Sequence, residues 1–88
     1  MKNKAFKIAV VESERGWGSK IDDWMVCLTL DDINDFRKEF NSKNNLDVVP
    51  EWYMYADGKP FEVELNDVQY DILNKHKRVW ISFLNKHK

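Results

Sequence analysis

Four places in this chain carry residue types that do chemistry: GWGSK at residues 16–20, the pair Asp22-Asp23, the single Cys27, and the histidines His76 and His87. A phosphate-cradling loop needs its glycines and lysine at the G-x-x-x-x-G-K-[ST] spacing between a strand and a helix. GWGSK lacks that spacing, and the run after it reads as a strand. A dinucleotide fingerprint would need glycine where Ile21 stands and a helix beyond it. Cys27, His76 and His87 are too few and too scattered for a four-ligand zinc site. Asp22 and Asp23, without further oxygen ligands, read as solvated turn residues. Cys27, between Val26 and Leu28, reads as a core strand position more than as a nucleophile. Carboxylates abound, but no constellation frames any of them as general acid or base. The expectation is a non-enzymatic protein with no catalytic residue, no metal site and no cofactor.

Binding is the better-supported class, and the charges say where. All 15 acidic residues fall between Glu12 and Asp71, and residues 11–73 carry a formal charge of −9 while the two ends carry +8. The basic ends are Lys2, Lys4 and Lys7, then Lys75, Lys77, Arg78, Lys86 and Lys88, joined by His76 and His87. If the ends meet in the fold, a nearly neutral protein presents a basic face to one partner and an acidic face to another; the alternative is that charged ends only keep the domain soluble.

KHKR at 75–78 and NKHK at 85–88 flank an aromatic run that contains Trp80, and Tyr53 and Tyr55 share one face of a candidate strand. Cations of that kind follow a phosphate backbone while exposed rings stack on unpaired bases. Aromatics in so short a chain also serve as core, the favoured reading for Trp24 and Trp80. Trp17, between two glycines, either waits as an interface anchor or folds back over the sheet. The residues singled out for nucleic-acid or partner contact are Lys75, Lys77, Arg78, Lys86, Lys88, Trp17, Tyr53 and Tyr55.

These side chains need a frame, and 88 residues allow one domain, 1–88, with one core. Residues 5–12 alternate Phe6, Ile8 and Val10 against Lys7 and Ala9, and residues 24–30 are apolar on both faces, so both read as strands, the second central. A helix over 30–42 follows, capped by Thr29 with Asp32 three residues on, and facing the core with Ile33, Phe36 and Phe40. Residues 51–56 read as a strand, with 60–65 as a further candidate across an Asp57-Gly58 hairpin turn. Asn66 caps a second helix over 67–76, with Val68 and Ile72 on one face. Residues 79–84 fit either a last strand or a continuation of that helix, with the strand preferred for its β-branched and aromatic content. The fold class is α+β, a small antiparallel sheet with two helices.

No run approaches the roughly 20 apolar residues of a membrane span, and one cysteine leaves no intramolecular disulfide, which fits a soluble cytoplasmic protein. A homodimer is credible through exposed strand edges and rings.

The phrases GWGSKIDDWMV, EWYMYADGKPF and RVWISFL together resemble the small early proteins of T4-like bacteriophages. The resemblance spans most of the chain and rests on no catalytic signature. It implies an inhibitor of host machinery in the host cytoplasm, of the ToxN-inhibitory-factor, anti-defence type. The implied partners are a host protein target, a toxin ribonuclease, and RNA in the inhibited assembly; the alternative is a stand-alone RNA or single-strand-binding module. The resemblance assigns no role to any individual residue.

Overall fold

The structure, a computed structural model, describes residues 3–14, 18–43 and 52–87. Trp17 and Lys88 lie outside the described residues, and of Tyr53 only the backbone is described. The elements run β1 (Asn3–Glu14), β2 (Gly18–Cys27), α1 (Leu30–Lys43), β3 (Trp52–Leu65), α2 (Asp67–His76), β4 (Arg78–Trp80) and the short α3 (Ile81–Leu84), closed by a 3₁₀ turn at Asn85–His87. The sheet is antiparallel with the order β3-β1-β2-β4, a small α+β fold.

Strand alternation splits the core into two layers. On one face Ile8, Val10, Met25, Cys27 and Ala56 meet Ile33 and Phe36 of α1, with Phe6, Phe40, Met54 and Trp80 partly buried around them. On the other, Ala5, Val26, Leu65 and Val79 meet Leu73 of α2 and Leu84 of α3. The central strands are therefore apolar on both sides where α2 and α3 cover the second face, at Ala5 and Val26.

Both main helices begin at side-chain caps. Thr29 Oγ1 accepts the Asp32 N–H at 3.1 Å and its carbonyl accepts the Ile33 N–H at 3.2 Å. At α2, Asn66 Oδ1 accepts the Gln69 N–H at 2.8 Å while Gln69 Oε1 accepts the Asn66 N–H at 3.0 Å, a complete capping box. The box draws Gln69 inward: the buried positions of α2 are Gln69 and Leu73, Ile72 is partly buried, and the expected core residue Val68 faces solvent.

Three sequence expectations are corrected. Asp57-Gly58 is not a hairpin turn: β3 runs through it, because the twelve-residue β1 supplies one uninterrupted partner. Lys7 faces Phe61 and Ala9 faces Asp57, so residues 58–60 form a bulge opposite Ile8, with Gly58 at φ +83°. A two-residue type I′ turn needs positive φ at both central residues, and Asp57 does not have it. Next, β2 starts at Gly18 and not at Trp24, since Ser19, Lys20 and Ile21 pair with Ser13, Glu12 and Val11. Asp22 is the extra residue of a second bulge, between the pairs Val11 with Ile21 and Val10 with Asp23. Finally, residues 79–84 form neither a full strand nor part of α2. Lys77 takes φ +66° and donates its N–H to the Leu73 carbonyl at 2.7 Å, which ends α2. β4 then pairs with β2 over three rungs, from Arg78 opposite Cys27 to Trp80 opposite Met25. Asp23 stops the strand there: Oδ2 accepts the Ser82 hydroxyl at 2.6 Å and Oδ1 the Ser82 N–H at 3.3 Å, so a β2 carboxylate caps α3. Asp23 is thus a structural anchor and not a solvated turn residue.

Candidate interaction surfaces

The sequence places the basic KHKR segment between a helix and an aromatic run, and the left-handed cap at Lys77 turns it onto the β4 edge. His76, Arg78, Val79, Trp80 and Phe83 line an open groove of about 340 Å³ there. Trp80 is half-buried, its ring edge-on to Phe36 at 6.2 Å and to Phe40 at 6.5 Å between centroids. Phe83 is 45% exposed, and its ring lies 5.2 Å from that of His87. The groove thus has an anchored ring on one wall and a solvent-facing ring on the other.

The cations around it differ in freedom. Arg78 donates from a guanidinium nitrogen to Glu39 Oε2 and lies over the Phe36 ring at 5.8 Å, tying β4 to α1. The Glu39 hydrogen bond raises the guanidinium pKa above its ordinary value, partly opposed by burial. Lys75 pairs with Asp71 at 3.3 Å along α2, an exposed contact of little energetic weight. Lys77 stands exposed at the turn itself.

Lys86 belongs elsewhere. Asn66 Nδ2 donates to the His87 carbonyl at 2.9 Å, which fixes the last turn at the start of α2, whereas Lys75 and Lys77 stand at its end. Ten helical residues separate the two groups by about 15 Å. The same corner holds Asn3, whose Nδ2 donates to Asp67 Oδ1 at 2.7 Å. Asn3 and His87 therefore converge on the start of α2, beside Lys4, which pairs with Glu62 at 3.4 Å. Among the described basic residues of the termini, Lys75, Lys77 and Arg78 gather at the β4 edge, Lys4 and Lys86 stand toward the start of α2, and Lys7 lies apart on the sheet over Trp24.

A second surface lies where neither α2 nor α3 reaches. On the face opposite α1, cross-strand pairing sets Lys7 beside Phe61, Ala9 between Trp24 and Asp57, and Val11 between Ile21 and Tyr55. Lys7 Nζ sits 4.5 Å above the Trp24 ring, which meets Phe61 edge-on at 5.9 Å. Phe61 is 54% and Ile21 55% exposed, while Trp24 and Tyr55 are half-buried. Sequence reading picked out Tyr55, counted Lys7 only among the basic ends, and missed Phe61 and Ile21. The assumed hairpin put 60–65 on a separate arm, and the assumed loop removed Ile21 from the sheet.

Cys27 is fully buried, and burial pushes its thiol up to about 11, the nearby Arg78 charge lowering it and Asp32 raising it further. A neutral core thiol of this kind is a packing group. Among the described residues no three of His, Cys, Asp and Glu gather as a metal site, and no helix is long and apolar enough to cross a membrane. No family model, curated protein or solved structure matches the chain, so its surfaces carry the functional argument.

Proposed function

We propose that this chain is a non-enzymatic binding protein that inhibits a host factor, a defence ribonuclease toxin with its RNA, and that it does so through the β4 edge. The observation that carries this reading is the groove in which His76, Arg78, Trp80 and Phe83 converge beside Lys77. Its two rings offer stacking faces, and Lys75, Lys77 and the His76 imidazole offer phosphate partners. Its openness suits the flexible strand of a ribonucleoprotein better than an enclosed small molecule. Inhibition is by occlusion: cations speed encounter, and the rings slow release. The resemblance supplies the target class and the phage setting; the groove supplies the contact.

The test is a titration with single-stranded RNA at several salt concentrations, followed by capture from host lysate with and without nuclease. Salt-dependent binding that weakens in Lys77→Ala, with a salt slope smaller by about one, is expected. Capture of a toxin ribonuclease that nuclease treatment diminishes would complete the reading. No RNA affinity at low salt, together with no captured partner under either condition, would overturn it. A second reading, a stand-alone single-strand binder, is favoured by the pairing of Trp80 and Phe83 in one groove, a sequence-tolerant stacking arrangement. RNA affinity without any protein partner would select it.

A further inference from the structure

Resting on the reading of the β4 groove as a single-strand site, we propose that Glu39 of α1 is its specificity-determining residue: the Glu39 carboxylate holds the place on Arg78 that a strand phosphate would take, and a ligand must displace it to use that cation. Arg78 and Trp80 both line the groove, two residues apart on one face of β4 and so about 6.6 Å apart along the strand. Both pack on the same ring of α1: the Arg78 guanidinium lies 5.8 Å over Phe36, and Trp80 meets that ring edge-on at 6.2 Å. A base stacked on Trp80 would carry its phosphates past a guanidinium whose position is already fixed.

Arg78 is within reach of a ligand, since its side chain is 35% exposed and that of Glu39 59%. What withholds it is charge. A guanidinium nitrogen donates to Glu39 Oε2, and carboxylate and phosphate make the same kind of demand on a guanidinium fork, so the two compete. The other carboxylates nearby act differently. Asp35, one turn before Glu39 on α1, acts on Arg78 only through space, and Asp71 is engaged by Lys75 at 3.3 Å. Of the three cations at this edge, Lys75 and Arg78 each sit in an ion pair, and Lys77 stands exposed at the turn. Selectivity follows from that arrangement. A simple anion such as inorganic phosphate meets little net charge, whereas a strand that also stacks on Trp80 and Phe83 gains enough to displace Glu39.

The test is titration of the full chain and its variants with a short single-stranded RNA over a range of salt. Glu39→Gln keeps an acceptor beside Arg78 and removes the charge. It is expected to tighten RNA binding about fivefold at low salt and to steepen the salt slope by about one, as Arg78 joins the phosphate contacts. Asp35→Asn removes an equal charge without freeing a hydrogen bond, and gives a clearly smaller gain with the slope unchanged. Adding Arg78→Met to Glu39→Gln abolishes both the gain and the extra slope. Glu39 and Asp35 are exposed on α1, and circular dichroism checks that each variant stays folded. Should the Arg78→Met variant not fold, the comparison of Glu39→Gln with Asp35→Asn decides. Equal gains from those two would overturn the proposal. So would a Glu39→Gln chain that binds no better than a wild type whose RNA affinity falls in Lys77→Ala, and the groove reading would then stand without it. No RNA affinity in either the wild type or Glu39→Gln would overturn both, while binding by Glu39→Gln alone would support the displacement of Glu39 as the limiting step.

Discussion

At the β3 edge, Asn41 of α1 donates from Nδ2 to the Ala56 carbonyl at 3.1 Å and accepts the Ala56 N–H at 2.8 Å, while the Arg37 guanidinium covers the Gly58 carbonyl. At the β4 edge, three residues of strand give way to α3 and an open groove. The first edge is closed by side chains that imitate a neighbouring strand, and the bulge at 58–60 breaks its regularity further. Both devices keep an edge from recruiting foreign strands. The second edge is kept short and then supported from behind. Gln69 Nε2 donates to the Leu84 carbonyl at 2.8 Å, and Asp23 caps the first turn of α3. Phe83 is thereby presented on a fixed support with its ring outward. One edge spends its polar side chains on closure, the other on holding α3 and the groove beside it in place.

Substitutions that remove those supports separate the two edges, and the largest effect falls at Gln69. Gln69→Leu strips partners from the Leu84 carbonyl and the Asn66 N–H in a buried setting, and is expected to lower stability by about 3 kcal/mol in urea unfolding. Because it also frees α3, RNA affinity should fall with it. Asn41→Leu leaves both backbone groups of Ala56 unpaired at the β3 edge. A loss of about 2 kcal/mol follows, together with a rise in light scattering at high protein concentration, but RNA affinity is unchanged while the chain is folded. Asp23→Ala removes the cap of α3, costs about 1 kcal/mol and lowers RNA affinity more than Asn41→Leu does. Lys77→Ala sits at the small end for stability, within about 0.5 kcal/mol, and its effect appears in binding alone.

Cys27 adds a pH dependence on the layer under α1. In the folded chain its thiol ionises near pH 11, against an ordinary value of 9.0. The unfolded chain therefore loses its proton first as pH rises. The stability tied to the neutral thiol is complete below about pH 9 and drains away as pH climbs toward 11. Urea midpoints compared between pH 8 and pH 10.5 should fall further in the wild type than in Cys27→Ala.

Much of the frame could be read from local pattern. Thr29 and Asn66 announce the helix starts, and Ile33, Phe36 and Phe40 give the buried stripe of α1. What escaped were features decided by distant partners. Asp57-Gly58 has the local chemistry of a turn, but β1 extends past it, and the long pairing converts the turn into a bulge. Val79, Trp80, Ile81 and Phe83 have strand character, yet a carboxylate from β2, 59 positions away, closes the strand at Trp80. Val68 and Gln69 exchange inside and outside because the capping box turns a glutamine inward. Of the candidate binding residues, Lys75, Lys77 and Arg78 are neighbours in sequence and remain together, whereas Lys86 is carried to the other end of α2 by the Asn66 bond to His87. Sequence distance along NKHK contains nothing of that separation.

The central claim is that the β4 edge is the contact surface. Its most direct measurement is an amide and indole NMR titration of the full chain with a short single-stranded RNA at low salt. The account predicts shift changes gathered at His76 to Trp80 and at Phe83, fading as salt rises, with the β3 edge from Ala56 to Gly58 unmoved. Shifts confined to the β3 edge or the uncovered sheet face, or no shifts at all, would contradict it.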